Sequence, residues 1–263
     1  MALSLNVHFL PALIPEGALQ DGIAVIIDIL RASSTMTTAL HNGAVKVIPC
    51  LMPEDAFRTR DQASPGSVLL GGERGGIRIT GFDFGNSPAE YPADVVRGRT
   101  IAFTTTNGTK AMLSAMSARE ILVGSFLNRL AVVERLIRLR RDIHLICAGT
   151  DGFITGEDVL FAGAVVDGLL KSSSASLLSP ALPDLNDSAQ IARAFWQQSV
   201  IGCDEASPVA LMKCIERSME ISRGGRNLLS LGYGSDLGLC SQLDSVAMVP
   251  KFDPDQQCLL PAI

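Results

Sequence analysis

The run TTTNGTKA at positions 104–111 combines hydroxyl, amide and glycine residues in one short segment. It follows the apolar residues 101–103 and precedes a helix-like stretch, so it lies between a predicted strand and a predicted helix. The first N–H groups of a helix lack partners and carry partial positive charge, and a glycine lets an anion approach them closely. The run therefore predicts a phosphate-binding loop, although such residues also cap helices in many proteins. The predicted phosphate ligands in it are Thr105, Thr106, Asn107, Gly108 and Thr109.

Four more polar clusters follow apolar segments at points where strands are expected to end. Their candidate residues are Asp28 and Arg31, then Glu73 and Arg74, then Asp83, Asn86 and Ser87, and finally Ser125 and Asn128. Ligands of open α/β sheets bind at the carboxyl ends of the strands, so we expect these residues to meet in one site. Arg31 and Arg74 are predicted anion clamps, because a guanidinium matches the geometry of phosphate or sulfonate. The alternative for each is a structural pair with a nearby Asp or Glu. The amides and hydroxyls are predicted to orient substrate or water.

Several acidic residues could converge near these strand ends and would then repel one another. They are Asp28, Glu73, Asp83, Glu157 and Asp158. A hard cation removes such repulsion, and carboxylates without Cys or His ligands favour Mg²⁺. We predict Asp28, Glu73, Asp83 and Asp158 as metal ligands, with only a subset in direct contact because Mg²⁺ usually keeps several waters. The alternative for each acid is a helix cap or a local pair with an arginine.

Asp28, Arg31 and Asn107 form the predicted catalytic set. Asp28 could hold a metal ion beside an activated water, or it could act as a nucleophile that forms an aspartyl phosphate. The haloacid-dehalogenase phosphatases have a second aspartate two residues later, and Leu30 occupies that position here. The chain also lacks a GxxxxGK[ST] run, so a P-loop is not expected.

Composition excludes several classes of function. Hydrophobic residues make up 47% of the 263 residues, and the formal net charge is −5, so the chain can form a large core and has no basic surface for nucleic acid. We expect no membrane span and no signal peptide, because long apolar runs and a basic N-terminal region are missing. The six cysteines lack a CxxC pair and are expected to be reduced and buried in a cytoplasmic protein. The three histidines are dispersed, which argues against a zinc site and makes His144 a structural residue.

Apolar runs alternate with helical patterns over the first two thirds of the chain. Strands are predicted at residues 23–28, 45–50, 68–71, 100–104, 121–124 and 143–148. Helices are predicted to begin near Ser33, Pro53, Gly108, Leu127 and Glu157, and Gly43 is placed to end the first of them. This alternation predicts an α/β fold, layered α/β/α, with a largely parallel or mixed sheet.

The pattern changes after Leu170. Residues 171–188 are rich in serine and proline, which is typical of a connector. Helices are predicted at 189–200, 208–218 and 236–243, followed by a last strand at 245–249 that rejoins the sheet. We therefore predict an α/β phosphate- and metal-binding core over residues 1–170 and a more helical C-terminal part over residues 171–263. A single domain is the alternative.

Seven segments occur here in one order: DILRASST, LLGGERGG, GFDFGNSP, TTTNGTKA, GSFLN, CAGT and GEDVLFAG. The ordered set resembles the 2-phosphosulfolactate phosphatase family of coenzyme M biosynthesis, and residues 222–250 are similar to the closing segment of that family. The resemblance spans residues 23–250. It implies an α/β/α fold peculiar to the family and a Mg²⁺-dependent phosphatase that converts (R)-2-phospho-3-sulfolactate into sulfolactate and inorganic phosphate.

From these observations we expect a cytoplasmic Mg²⁺-dependent phosphatase that acts on a small anionic phosphorylated substrate. We expect neither nucleic acid nor membrane as a partner, and a homo-oligomer is left open. Two alternatives stand beside this expectation. One is a phosphotransferase that passes the phosphoryl group to an acceptor other than water, and the other is a non-catalytic binding module for an anionic metabolite.

Overall fold

The computed structural model describes residues 3–175, 183–204 and 206–262. Within them, eleven strands form one mixed sheet. In chain order the strands are β1 Ser4–His8, β2 Ile23–Ile27, β3 Lys46–Pro49, β4 Val68–Arg74, β5 Ile77–Arg78, β6 Thr100–Thr104, β7 Glu120–Gly124, β8 Ile143–Cys147, β9 Asp184–Leu185, β10 Val249–Asp253 and β11 Cys258–Ala262. The order across the sheet is β5-β4-β6-β3-β11-β10-β7-β2-β8-β1-β9.

Two blocks of parallel strands make up most of this sheet. In one block β6 pairs with β3 and β4, and in the other β2 lies between β7 and β8 while β1 lies beyond β8. The antiparallel hairpin of β10 and β11 lies between the blocks and pairs with β7 on one side and β3 on the other. The C-terminal hairpin therefore joins the two halves of the sheet.

Ten α-helices surround the sheet within the described residues. They are α1 Ala32–His41, α2 Pro53–Asp61, α3 Ala93–Val96, α4 Gly108–Ser114, α5 Arg129–Leu139, α6 Gly156–Ala175, α7 Asp187–Ser199, α8 Pro208–Glu220, α9 Arg223–Ser230 and α10 Ser235–Cys240. Alternate residues of β2 face opposite sides of the sheet, as the two-residue period of a strand requires. Val25 and Ile27 pack in one apolar cluster with residues of α5 to α8, and Ala24 and Ile26 pack in another with residues of α1 and α4. The two clusters lie on opposite faces of the sheet, between it and the helices, which gives the α/β/α layering.

Most predicted elements are confirmed, and the predicted α/β class with a mixed sheet is correct. All six predicted strands are present, and the helices predicted near Ser33, Pro53, Gly108 and Glu157 begin within one residue of those positions. The fifth helix starts at Arg129 because a short 3₁₀ turn, Phe126–Asn128, precedes it. Gly43 follows the first helix with φ 98°, a conformation that favours glycine.

Two predictions about the C-terminal part are wrong in position. Residues 171–175, predicted to belong to a connector, continue α6, which ends at Ala175. Residues 176–182 of that predicted connector lie outside the described residues. The last strand lies not at 245–249 but at Val249–Asp253, where it pairs with a strand that we did not predict. The short helix α9 was also missed, because its Arg, Gly and Asn residues give no apolar period.

The cysteines and histidines differ from expectation in part. Cys203 and Cys214 are joined by a disulfide bond, whereas Cys50, Cys147, Cys240 and Cys258 are free and buried as predicted. A spacing of eleven residues gave no sign of the disulfide pairing; it arises because α8 packs beside the turn that follows α7. His144, which the sequence predicts to be structural, is buried, and its Nδ1 lies 3.1 Å from Nε2 of His8 on the neighbouring strand. In the described part of the chain, no helix is both long and apolar enough to cross a bilayer.

Candidate active site

The carboxyl ends of four strands and the C-terminal helix α9 enclose one small polar cavity of ≈ 70 Å³. It is lined by Asp28, Leu30, Arg31, Glu73, Gly75, Gly76, Asn86, Thr106, Asn107, Thr150, Asp151, Gly224, Asn227 and Leu228. Residues at the ends of β2, β4, β6 and β8 therefore meet here, as expected for ligand sites of α/β sheets. The lining has more carboxylates than cationic groups.

Asp28 directly follows β2 and lies against the first turns of two helices. Its carboxylate accepts hydrogen bonds from the backbone N–H groups of Ala32 in α1 and Gly108 in α4. A Cβ atom at Gly108 would lie 2.8 Å from Oδ2 of Asp28, so glycine makes this approach possible. The anion held at the start of α4 is thus the protein's own carboxylate.

The pKa of Asp28 is raised from 3.8 to about 7. Removal of the carboxyl group from water is the largest cause, followed by the negative charge of Glu73, and the charge of Glu157 adds to it. The two backbone hydrogen bonds act in the opposite direction and lower it. A carboxyl group with this pKa changes its charge near neutral pH, which is a common property of catalytic acids and bases.

Glu73 holds the predicted phosphate loop against the end of β4. Its Oε1 accepts a hydrogen bond of 2.9 Å from the backbone N of Thr106, and its Oε2 accepts one of 2.6 Å from the backbone N of Gly76. The side chain is 7% exposed. Glu73 therefore uses backbone donors of the loop that the sequence assigned to phosphate.

Asp158 and Glu157 lie at the start of α6 and are both buried. Asp158 accepts hydrogen bonds from the backbone N of Ile29 at 2.9 Å and of Gly149 at 3.0 Å, and thereby ties the ends of β2 and β8 together. Burial and the charge of Glu157 raise the pKa of Asp158 well above its usual value. Among the described residues, Oε2 of Glu157 is buried without a hydrogen-bond partner, and burial raises the pKa of this group as well.

Arg31 lines the cavity with a guanidinium that three groups hold. Its Nη1 donates to Oδ2 of Asp236 at 2.7 Å, and its Nη2 donates to the carbonyl oxygen of Gly76 at 2.9 Å. The ring of Tyr233 lies 4.4 Å from the guanidinium carbon, which is the geometry of a cation–π contact. Arg31 is 2% exposed, so its position is fixed before any ligand binds.

Some residues of the loop between β6 and α4 line the cavity, and others are buried inside the loop. Thr106 and Asn107 line the cavity, and Oδ1 of Asn107 accepts a long hydrogen bond of 3.4 Å from the backbone N of Asp151. Thr109 lies inside the loop, where its Oγ1 accepts from the backbone N of Thr105 at 3.5 Å. Oγ1 of Thr105 is buried and has no hydrogen-bond partner among the described residues. The loop is adjacent to the cavity, and Thr106 and Asn107 are its members that face it.

Comparisons with known proteins identify the family of this chain. The family model described as 2-phosphosulpholactate phosphatase matches residues 8–255. The chain belongs to the 2-phosphosulfolactate phosphatase family. A probable 2-phosphosulfolactate phosphatase of Symbiobacterium thermophilum is 37% identical over 247 residues, which cover 94% of this chain and 97% of that protein. One of Clostridium acetobutylicum is 34% identical over 239 residues, or 91% and 93% of the two chains. One of Thermotoga petrophila is 39% identical over 227 residues, or 86% and 87%.

The cavity of this 2-phosphosulfolactate phosphatase family member contains only some of the predicted site residues. Asp28, Arg31, Glu73, Asn86, Thr106 and Asn107 line it. Gly108 contacts Asp28, and Ser87 lies behind the lining, where its Oγ donates to Oδ1 of Asp236 at 2.6 Å. Asn86 leaves its buried Oδ1 without a hydrogen-bond partner in the described residues. These residues stay candidates for binding and catalysis.

Four more predicted residues lie outside the cavity lining, as do Thr105, Thr109 and Asp158. Arg74 donates to the carbonyl oxygens of Glu73 and Leu51 and to Oγ1 of Thr104. Asp83 is exposed, and its Oδ2 accepts from the backbone N of Leu70 at 2.8 Å. Both residues therefore make local hydrogen bonds outside the cavity, Arg74 to carbonyl and hydroxyl oxygens and Asp83 to a backbone N–H group.

Ser125 and Asn128 are the other two, and both are completely buried. Oδ1 of Asn128 accepts from the backbone N of Ser125 at 2.9 Å, and Nδ2 donates to the carbonyl oxygens of Val123 and Met248 at 3.2 Å each. The two side chains form a capping box before α5. Their geometry supports a structural role in place of the predicted contact with substrate.

The sequence reasoning missed the contribution of the C-terminal helices to the cavity. Gly224, Asn227 and Leu228 of α9 line it, and Asp236 of α10 pairs with Arg31. A Cβ atom at Gly224 would overlap with Oε1 of Glu157, so α9 packs directly on the acidic cluster. The segment SRGGRN was visible in the sequence as a polar run with two glycines, and this was the available signal.

The donor set at the cavity fits Mg²⁺ in chemical kind. Within the described ranges, no three His, Cys, Asp or Glu side chains are grouped so that they alone could hold a metal ion. Mg²⁺ nevertheless binds through one or two carboxylates together with waters and phosphate oxygens. Asp28 and Glu73 line the cavity, and the unpaired Oε2 of Glu157 lies in the same acidic cluster. Asp158 fits less well, because it does not line the cavity and is held behind it by hydrogen bonds from Ile29, Gly149 and Thr155.

Proposed function

We propose that this protein is a Mg²⁺-dependent phosphatase that hydrolyses 2-phosphosulfolactate to sulfolactate and inorganic phosphate. Membership of the family and the names of its relatives support the substrate. The single observation that carries the proposal is the polar cavity at four strand ends, which Asp28 lines with a carboxyl group of raised pKa. The cavity suits a phosphate ester bound beside a cation. It offers carboxylates, the fixed guanidinium of Arg31, and a loop rich in hydroxyl and amide groups.

The charges around the cavity support the requirement for a cation. Asp28, Glu73 and Asp151 line it, and Arg31 is paired with Asp236. A substrate with phosphate, carboxylate and sulfonate groups carries several negative charges and would be repelled by such a lining. Mg²⁺, when bound by Asp28 and Glu73, would offset this repulsion and the charge that develops at the phosphoryl group, and would lower the pKa of a bound water.

The chain's own residues bind and orient the substrate in this proposal. Arg31 supplies N–H donors from a fixed position, and its remaining donors suit phosphate oxygens because the guanidinium is planar and forked. Asn86 and Asn107 offer amide groups to the substrate or to water. Burial and neighbouring carboxylates raise the pKa of Asp28 to about 7, and a bound Mg²⁺ would lower it, so Asp28 would be ionised as a ligand of the cation.

The proposal includes the setting that the family implies. We infer a place in coenzyme M biosynthesis and a cytoplasmic location, and we leave open a homo-oligomer. Cell fractionation and sedimentation of the purified protein address the last two points. The state of Cys203 and Cys214 tests the cytoplasmic location. A reducing compartment would keep both as thiols, whereas the structure joins them in a disulfide bond.

Release of phosphate from 2-phosphosulfolactate tests the proposed function. We expect activity in Mg²⁺, loss after exhaustive EDTA treatment and recovery on addition of Mg²⁺. Phosphate release that depends on an added alcohol or acid acceptor would instead indicate a phosphotransferase. Ligand binding without turnover would indicate a binding module. Full activity after EDTA treatment would contradict the metal requirement.

A further inference from the structure

Helix α10 supports the cavity from behind through one buried carboxylate. Asp236 is 1% exposed and makes two side-chain hydrogen bonds, one on each oxygen. Its Oδ2 accepts from Nη1 of Arg31 at 2.7 Å, and its Oδ1 accepts from Oγ of Ser87 at 2.6 Å. Arg31 and Asn86, which precedes Ser87, both line the cavity. Asp236 therefore joins two parts of the cavity wall that are 55 positions apart in the sequence.

The hydrogen bonds of Arg31 leave donors for a ligand. A guanidinium has five N–H donors, and the bonds to Asp236 and Gly76 use two of them. Tyr233, three residues before Asp236, covers one face of the guanidinium. The orientation of the other donors is thus set by the segment that contains α10. A long arginine side chain without such contacts would lose conformational entropy on binding a ligand.

We propose that Asp236 is a positioning residue for substrate phosphate, acting through Arg31 and Ser87. This inference rests on the proposed phosphatase function and assigns to the C-terminal helices a part in the reaction. Asp236 does not line the cavity, so it acts by fixing the donors of Arg31 and the segment that carries Asn86. Loss of one partner of a buried ion pair leaves an uncompensated charge and destabilises the fold, so Tm has to be measured beside the kinetics of any Asp236 variant.

The pair Arg129–Asp244 provides a matched control. Nη2 of Arg129 lies 2.5 Å from Oδ2 of Asp244, and the second oxygen of Asp244 accepts from the backbone N of Leu130 at 2.6 Å. This carboxylate, like Asp236, makes one arginine bond and one further bond. Neither residue lines the cavity, and the pair lies at the start of α5. Asp244→Asn therefore removes the same kind of charge without touching Arg31.

The experiment compares wild type, Asp236→Asn, Ser87→Ala and Asp244→Asn in Mg²⁺. It measures KM and kcat for 2-phosphosulfolactate, and the Kd of inorganic phosphate by calorimetry. We expect Asp236→Asn to raise KM and the Kd of phosphate by about tenfold or more, because the fork of Arg31 is no longer fixed. Ser87→Ala should raise both by a smaller factor. Asp244→Asn should leave both unchanged, even where it lowers Tm.

The double variant Arg31→Lys/Asp236→Asn tests whether Asp236 acts through Arg31. We expect its loss of kcat/KM not to exceed the larger single loss, since both changes disable one unit. Additive losses, or wild-type KM and phosphate Kd in a folded Asp236→Asn, would overturn the proposal; if that variant does not fold, a wild-type phosphate Kd in Ser87→Ala overturns it. If wild type binds phosphate without turnover, the proposed function fails, and the phosphate Kd values still decide the role of Asp236.

Discussion

Two neighbouring strands of the sheet end in opposite ways. β2 and β7 are paired in parallel, with Ile27 beside Gly124 at their last residues. After β2 comes Asp28, a carboxylate near Glu73 and Glu157 whose pKa is raised to about 7. After β7 comes Ser125, whose backbone N donates to Asn128 within a completely buried capping box. The end of β2 brings like charges together beside a cavity. The end of β7 contains polar groups that satisfy one another through hydrogen bonds.

The difference separates a candidate reaction centre from a structural joint. Buried polar groups normally find partners, and those of the β7 end do so. At the β2 end, the raised pKa of Asp28 and the unpaired Oε2 of Glu157 indicate buried carboxyl groups that repel one another. This repulsion lowers the stability of the fold unless a cation offsets it. Unfavourable charge arrangements of this kind are frequent at functional sites, where a ligand or cation relieves them.

The largest predicted effect follows from removal of the Asp28 charge. We expect Asp28→Asn to lower kcat/KM by roughly 10²–10³-fold, the range for removal of one group that stabilises the transition state. The reason is loss of a cation ligand and of a titratable group at the cavity. Steady-state kinetics on 2-phosphosulfolactate measure the change. Near-wild-type kcat/KM would remove Asp28 from the reaction.

The matched control for Asp28→Asn is Asn128→Ala at the neighbouring strand end. It removes an amide that bonds to Ser125, Val123 and Met248, and should destabilise the fold by about 1–3 kcal/mol because buried groups lose their partners. The kcat/KM of the folded fraction should stay within about twofold of wild type. A large kinetic loss at unchanged stability would return Asn128 to the substrate site.

The next largest effect is expected for Gly108→Val. The new side chain would begin 2.8 Å from Oδ2 of Asp28 and displace that carboxylate from the start of α4. A misplacement of about 1 Å can cost about 10²-fold in rate. We therefore expect kcat/KM to fall by about that factor. The fall should also be seen at temperatures where the variant is still fully folded, so that a lower Tm does not account for it. Kinetics and thermal unfolding of the same preparation measure both, and a loss of Tm alone would make Gly108 a packing residue.

Arg31→Lys should give a smaller loss. Lysine keeps the charge beside Asp236 but cannot reproduce the planar fork that also reaches the carbonyl oxygen of Gly76. We expect kcat/KM to fall about tenfold, which corresponds to about 1.4 kcal/mol. Unchanged kinetics in a folded variant would limit Arg31 to its structural contacts.

The last prediction concerns stability in place of activity, namely the pH dependence of stability in EDTA. The folded protein holds a proton on Asp28 up to about pH 7, whereas the unfolded chain releases it near pH 3.8, so this group makes stability fall as pH rises from about 4 to 7. Asp28→Asn lacks that loss. Its Tm relative to wild type should therefore be higher at pH 8 than at pH 4, by more than the roughly 2–4 °C that corresponds to about 1 kcal/mol in a chain of this size. Parallel curves for the two proteins would contradict the raised pKa.

The sequence predicted the strand ends well because a buried parallel strand is a continuous apolar run. The runs 23–28 and 100–104 became β2 and β6, and the polar residues after them reached one cavity. It could not tell which polar groups satisfy one another. Asp28 and Asn128 look alike as polar residues near strand ends, yet only Asp28 meets other carboxylates, and these come from β4 and α6.

Long-range packing explains the other misses. The pairing of Asp236 with Arg31 joins residues 205 positions apart, and no local period indicates it. The hairpin of β10 and β11 was predicted as one strand at the wrong residues, because Pro250 and Pro261 interrupt its apolar pattern. Both strands lie inside the sheet, but they tolerate prolines because β10 pairs with β7, and β11 with β3, through a single bridge each.

Calorimetric titration of Mg²⁺ tests most directly whether the end of β2 is the cation site. The experiment uses chelator-treated wild type, Asp28→Asn and Asn128→Ala at pH 8, where the carboxylate of Asp28 is ionised. We predict that wild type and Asn128→Ala bind Mg²⁺ with equal affinity, and that Asp28→Asn binds at least about tenfold more weakly because it lacks a hard anionic ligand. Equal Mg²⁺ affinity in Asp28→Asn and wild type would contradict the account.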